Sequence, residues 1–363
     1  MNDPEGNADD ARWMAAALRL SRRHVGLTDD NPSVGALIVS PDGRVVGRGV
    51  TAPGGRPHAE RVALAQAGEE ARGATAYVTL EPCAHHGRSP PCADALIQAG
   101  VARVVYGAAD PDSRVNGQGA ARLRAAGVAV THFPADAEGE RPFEGFLSRI
   151  RLGRPFVTLK MAISADGLVG RAGEGQVAIS GAIARRQTHL LRAECDAILI
   201  GAGTALADRP LLTCRLPGLE RRSPKRIVLD RRLRLPLDHP LVRTARDVPT
   251  WLATAETRPG RLAPFETMGC RLLPLPQDDL GAFLQSLVPL GIASVLVEGG
   301  PVLAAGFLEA GLVDRLISVR SERTIGGLGV PAPAAFLRPA GFRRGRDERL
   351  GPDRWVEWER SKR

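Results

Sequence analysis

Lysine is nearly missing from this 363-residue sequence. Only Lys160, Lys225 and Lys362 occur, so 46 of the 49 basic residues are arginine. Beside abundant Ala, Gly and Pro, that bias reads as GC-rich coding rather than selection for phosphate contacts. Aromatic residues make up 4%, too few for a run of base-stacking platforms. The formal charge of +9 is carried by scattered arginines, so no nucleic-acid partner is expected. Arginine-rich pockets for small phosphorylated substrates fit the same composition. No stretch approaches the ~18 uncharged apolar residues of a membrane span, and Ala197 to Ala207 is the nearest. No membrane partner is expected either. Met1 to Asp10 carries four acidic residues and no apolar core, unlike a signal peptide, so a cytoplasmic location is expected.

Cysteine is also scarce. Cys83, Cys92, Cys195, Cys214 and Cys270 are too few and too unevenly spaced for a disulfide framework, and the two that share a loop read first as metal ligands. The length exceeds what one core usually covers, so two domains are expected.

Strands alternate with helices along the chain, which predicts α/β architecture with helices on the sheet faces. A helix from Asp9 or Asp10 to about His24 precedes a hairpin of 34–39 and 44–50, turning at Pro41-Asp42-Gly43. Helix 58–67, strand 74–80, helix 92–99, strand 101–106, helix 119–126 and strand 128–132 follow. Between Phe133 and Pro155 the pattern is polar and irregular, apart from 143–152, placing a boundary near residue 150. The expected domains are therefore 1–150 and 151–363. In the second, strands are expected at 156–162, 197–200, 226–229, 250–253, 294–297 and 315–319, with helices at 182–193, 280–290 and 302–310.

His58-Ala59-Glu60 opens a predicted helix, Pro82-Cys83 sits just past a strand, and Cys92 begins the next helix. One imidazole and two thiolates supply three zinc ligands and leave a fourth position for water, whose pKa falls to about 7. Glu60, two residues after the histidine, is placed to take the water proton and hand it to a leaving amine. This is the H-x-E…P-C arrangement of zinc deaminases, in which two residues usually separate the cysteines. Here eight do, Ala84 to Pro91. A structural site closed by His85 or His86 is the alternative.

The second half has neither G-x-G-x-x-G nor a G-x-x-x-x-G-K phosphate loop. Val297-Glu298-Gly299-Gly300-Pro301 is a strand running through glycines into a helix, where bare N–H groups suit a pyrophosphate. Gly201-Ala-Gly203-Thr204 offers a second such turn. A purely structural strand-to-helix turn stays open at both.

His58-Ala-Glu60 together with the run from Thr79 to Cys92 resembles the deaminase half of the bifunctional riboflavin-biosynthesis deaminase–reductase family. Asn31-Pro-Ser-Val-Gly35 and Asp110-Pro-Asp112 match further segments of that half. The segments 160–167, 191–192, 203–215 and 298–301 resemble its reductase half. The resemblance implies a cytidine-deaminase-like three-layer α/β/α domain followed by a dihydrofolate-reductase-like α/β domain, in a homo-oligomer. It implies zinc on His58, Cys83 and Cys92, Glu60 as proton shuttle, Asn31 on the pyrimidine, and His86 and Arg88 on the ribose phosphate. It also implies NADPH on Ala162, Thr204, Asp208 and the turn of Gly300, Pro301, Val302, Leu303, Ala304, Ala305 and Gly306. Lys160, Gly175, Arg192, Leu212, Arg215 and Glu298 would then hold the second substrate. Lys160 and Asp208 are candidates for proton transfer near the ribose, a positional role staying open.

The implied activity is deamination of 2,5-diamino-6-(5-phosphoribosylamino)pyrimidin-4(3H)-one, then NADPH-dependent reduction of its ribosyl group to ribityl phosphate. Two departures stand out. The family often has Ser-x-Trp-Ile-Thr where this chain reads Gly175-Gln-Val-Ala-Ile-Ser180, and a family Ser is Arg231 here. Arg231 is expected to pair the NADPH 2′-phosphate and favour NADPH over NADH. The alternatives are an impaired reductase half, or a nucleoside or tRNA deaminase with an accessory domain.

Overall fold

The structure, a computed structural model, describes residues 8–85, 90–111, 116–134, 137–275, 279–337 and 339–361. The chain forms two compact units that divide between Gly153 and Arg154.

The first unit is built on a five-stranded sheet. Its strands are β1 (Gly35–Val39), β2 (Val45–Val50), β3 (Thr75–Leu80), β4 (Arg103–Ala108) and β5 (Ala129–His132), in the order β2-β1-β3-β4-β5. β1 pairs antiparallel with β2 and β3, while β3, β4 and β5 run parallel. Every residue of β1 is buried, as expected for a strand covered on both faces. On one face the helix Ala8–Ser21 sets Met14 and Ala17 against Leu37, Tyr77 and Val105. On the other, the helices Ala59–Ala67, Cys92–Gln98 and Gln118–Ala125 set Ala59, Ala63, Leu96 and Leu123 against Ala36, Ile38, Val78 and Val104. Small residues allow the close approach. A Cβ at Gly49 would lie 2.1 Å from the Ala59 carbonyl oxygen, so this glycine lets the helix carrying Glu60 lie directly on β2.

The second unit contains a nine-stranded sheet and a two-stranded ribbon. Its strands are β6 (Phe156–Ile163), β7 (Leu168–Arg171), β8 (Ala197–Gly201), β9 (Lys225–Leu229), β10 (Thr250–Thr254), β11 (Arg271–Pro274), β12 (Ser294–Val297), β13 (Arg315–Arg320), β14 (Gly329–Pro331), β15 (Phe342–Leu350) and β16 (Asp353–Arg360). The sheet order is β11-β10-β9-β8-β12-β6-β13-β16-β15, and β7 pairs with β14. The first seven strands of that order are parallel, and β16 and β15 close the edge as an antiparallel hairpin. Val157, Leu159, Val295, Phe283 and Phe307 share one buried cluster. Ile198, Ile200, Val228, Leu241 and Leu252 share another. Unbroken apolar runs such as Ala197 to Ile200 are what strands buried on both faces require.

The hairpin β15–β16 carries no apolar run that would announce it. Arg343, Arg344, Arg346 and Arg349 stand on an exposed strand, held by cross-strand pairs such as Arg354 Nε to Asp347 Oδ1 at 2.9 Å. Gly201 to Thr204, expected as a second strand-to-helix turn, ends β8 and opens a short helix, Ala202–Asp208. No helix among the described residues is long and apolar enough to cross a membrane.

Candidate active sites

His58 sits in extended backbone as the residue before the helix Ala59–Ala67, so its ring projects beyond the helix end while Glu60 lies in the first turn. Cys83 follows β3 past Pro82. Pro91 precedes the helix Cys92–Gln98, which starts at the second cysteine. The sequence elements thus converge. His58 Nδ1 lies 3.4 Å from Cys92 Sγ and 3.8 Å from Cys83 Sγ, and the three ligand atoms lie within 4.8 Å of one another. An imidazole and two sulfurs at this spacing fit zinc, which such soft N/S donors favour over magnesium or calcium. His85, the expected alternative fourth ligand, is outside this group, and its Nδ1 is buried without a hydrogen-bond partner. His86 and Arg88 lie outside the described residues.

The shifts within the trio run in opposite directions, Cys83 down and Cys92 up, the latter pushed by its hydrogen bond with Cys83 and then by burial. A hydrogen bond with Cys92, followed by those from His58 and the Cys92 backbone N–H, pulls the Cys83 thiol down to about 4. That backbone N–H donates to Cys83 Sγ at 3.3 Å, a helix N-terminus stabilising a thiolate. The Cys83 hydrogen bond pushes His58 up. Burial, then the nearby Cys83 charge, pushes Glu60 up. Glu60 is only 4% exposed.

The loop behind the cysteines is pinned from one side. Glu81 accepts hydrogen bonds from the N–H groups of Gly117 and Ala120 at 3.0 and 3.2 Å. A Cβ at Gly119 would fall 1.9 Å from the Pro82 carbonyl oxygen. The helix Gln118–Ala125 therefore rests directly on the segment that presents Cys83. A cavity of about 490 Å³ opens beside the trio, and His58, Glu60, Cys83, Asn31, Arg56, Asp110 and Arg149 line it.

In the second unit a cavity of about 1150 Å³ lies over the carboxyl ends of the parallel strands, the usual ligand position in such sheets. Lys160, Ala162, Gly175, Arg192, Thr204, Asp208, Arg215, Glu298, Gly300, Pro301, Val302, Leu303 and Gly306 all reach it. Arg192 Nε and Nη2 donate to Glu298 Oε1 and Oε2 at 2.8 and 3.0 Å. Burial alone would push Glu298 up; Arg192 and Lys160 outweigh it and hold the carboxyl at about 2. Burial also lowers Lys160 and raises Asp208. The Gly300 N–H donates to Thr204 Oγ1 at 2.9 Å, tying the two glycine turns together.

Four expected residues are not on this cavity wall. Leu212 is buried with φ +56° in the core beside Ile198 and Ile200. Ala304 is fully buried against the sheet because it faces inward from the helix Pro301–Glu309, and Ala305 is off the wall too. Arg231 is also absent, because the chain turns between Asp230 and Leu233, where Leu233 adopts φ +49°. Arg234 reaches the cavity instead, and Arg185, His189 and Arg323 join it. Nothing local in the sequence singles out these three arginines among 46, or His189 among seven histidines.

The two sites define a class, an enzyme that joins a zinc-site deaminase domain to a reductase domain. Comparison with known proteins agrees. Residues 7–108 match the cytidine and deoxycytidylate deaminase zinc-binding region, and residues 155–335 match the RibD C-terminal domain. The riboflavin biosynthesis protein RibD of Escherichia coli (strain K12) is 43% identical, with 87% of this chain and 89% of that protein covered. Acinetobacter baumannii RibD superposes with a TM-score of 0.86 at 35% identity, covering 98% of this chain and 99% of the other. A diaminohydroxyphosphoribosylaminopyrimidine deaminase/5-amino-6-(5-phosphoribosylamino)uracil reductase from Thermotoga maritima superposes with a TM-score of 0.85 at 31% identity, covering 97% and 99%. The chain belongs to the RibD family of riboflavin biosynthesis proteins, whose reductase domain uses NADPH.

Proposed function

We propose that the first unit deaminates 2,5-diamino-6-(5-phosphoribosylamino)pyrimidin-4(3H)-one and that the second reduces the ribosyl group of the product to ribityl phosphate. The observation that carries the reading is the buried Glu60 beside the His58, Cys83 and Cys92 trio, in a cavity that also contains Asn31. Zinc, when bound to the trio, supplies a Lewis acid that activates water. Glu60 is the proton carrier. Its carboxyl, pushed up by burial, takes a proton at an Oε and gives it to the amino group leaving the pyrimidine. Asn31, also on the cavity wall, orients the ring.

In the second unit, NADPH supplies the hydride. Thr204, Asp208 and the turn from Gly300 to Leu303, with Gly306, hold the cofactor; the Gly300 N–H is already given to Thr204 and Pro301 has none, so the first-turn N–H groups of Val302 and Leu303 are the ones that suit its pyrophosphate. The Arg192–Glu298 pair presents a fixed polar face to the second substrate, and Arg215 binds its phosphate. Lys160, made easier to deprotonate by burial, holds or donates a proton beside the ribose. Where the family often has Ser and Trp, Gly175 at φ +71° and Val177 line the cavity. The expected cytoplasmic setting agrees with five free cysteines. The test is a combined measurement of ammonia release and NADPH consumption on the purified chain.

A further inference from the structure

We propose that Asp353, on the hairpin at the edge of the second unit's sheet, is a positioning residue for the second substrate. It anchors the start of the helix Ala182–Glu194 and so sets the cationic face that this helix presents to the cavity. The inference rests on the reading of the second unit as a reductase. Asp353 opens β16 and is fully buried, a setting that a carboxylate accepts only with partners for its charge. Its Oδ2 accepts the Gly181 N–H at 2.6 Å, from a strand 172 residues further along the chain. Gly181 is the residue before the helix and has no side chain to cap it. A Glu in a capping box satisfies this N–H from within its own helix; here Asp353 does so from the hairpin, and its charge stands at the positive end of the helix dipole.

Hairpin and helix fit closely. A Cβ at Gly181 would lie 3.2 Å from both Asp353 Oδ2 and Pro352 Cγ, so the glycine leaves the room that the carboxylate occupies. Gly351, at φ +65°, turns the chain from β15 into Pro352 and Asp353. Trp355, two residues on, shares a buried cluster with Ala184 of the first helical turn. The same helix brings Arg185, His189 and Arg192 to the cavity, at spacings of four and three residues and hence on one face. His189 Nδ1 accepts the Arg215 N–H at 3.3 Å, and Arg192 donates to the Thr213 carbonyl at 3.2 Å as well as to Glu298. A shift of the helix start therefore moves Arg192 and, through these bonds, the segment carrying Arg215, the residue assigned to the substrate phosphate. The other oxygen of Asp353, Oδ1, is buried without a hydrogen bond, which costs stability and makes this carboxylate a poor cap for the fold alone.

The test is steady-state reduction of the deaminated pyrimidine ribosyl phosphate by NADPH on the zinc-loaded full chain and its variants. Asp353→Ala is expected to raise KM for that substrate about 10- to 100-fold, the scale of a displaced binding face, with kcat largely kept. Calorimetric affinity for NADP⁺ should be unchanged, because Thr204, Asp208 and the Gly300 turn lie on other elements. Ammonia release by the first unit should be unchanged too. Asp353→Asn keeps an oxygen acceptor for the Gly181 N–H and is expected to restore most of the wild-type KM. A residue that served the fold alone would instead lower the fraction of active enzyme, read as a lower kcat at wild-type KM, and that result overturns the inference. Should Asp353→Ala fail to fold, Gly181→Ala presses a methyl group against the same carboxylate and is expected to raise KM severalfold; wild-type KM in that variant overturns the inference. A wild-type chain that consumes no NADPH with this substrate overturns the reductase reading beneath it.

Discussion

Replacing Arg192 by Gln removes the partner of a buried carboxylate. Arg192 and Glu298 are joined by two hydrogen bonds, and each side chain is 12% exposed. A carboxyl held at about 2 rather than its ordinary 4.5 represents about 3 kcal/mol, at about 1.4 kcal/mol per tenfold change. Breaking one side of a buried pair typically costs about 3–5 kcal/mol, which agrees. The folded-state value is depressed, so this stabilisation is present above about pH 4.5 and fades as pH falls toward 2. Without Arg192, burial acts on Glu298 with Lys160 and, more weakly, His189 left to oppose it. Arg192→Gln is therefore expected to lose about 3 kcal/mol at pH 7, and the loss should shrink as Glu298 protonates below about pH 4.5. Urea unfolding of the full chain reads this through Trp251, Trp355 and Trp358, three of the four tryptophans. Glu298→Gln in the same chain should restore much of the loss at pH 7, since no unpaired charge remains buried. A loss below about 1 kcal/mol, or one independent of pH, would refute the reasoning.

Glu60→Gln keeps the shape of the buried side chain and removes its proton chemistry. It is expected to retain zinc, measured by metal analysis, while deamination falls about 10²- to 10⁴-fold; wild-type deamination would remove Glu60 from its proposed role. Gly119→Ala forces a Cβ to within 1.9 Å of the Pro82 carbonyl oxygen. It should destabilise the first unit by about 1–3 kcal/mol and weaken zinc retention against a chelator, because the displaced segment carries Cys83.

The metal trio was legible because each ligand belongs to a short local pattern: His58 two residues before Glu60, Cys83 after a proline, Cys92 at a helix start. Lys160 and Glu298 were legible through family motifs at strand ends. The remainder of the second cavity depends on turns that local patterns do not encode. Arg231 and Arg234 look equivalent in sequence, and the positive φ of Leu233 with the Asp230 carboxylate decides which of them reaches the cavity. Leu212 and Ala304 sit inside matching motifs, yet both pack into the core. The strands β15 and β16 escaped detection because ion pairs and single inward residues such as Trp355, not an apolar run, hold them to the sheet. β7 and β14 are too short and too rich in glycine to show a period.

That one chain carries out two consecutive reactions is tested by following both at once. Zinc-loaded protein is mixed with the diaminopyrimidine ribosyl phosphate and NADPH, and ammonia release and NADPH absorbance are recorded together. Ammonia is expected first, followed by an equal amount of NADPH consumed. Ammonia without NADPH loss would contradict the reductase half, and no ammonia would contradict the deaminase assignment on which the account rests.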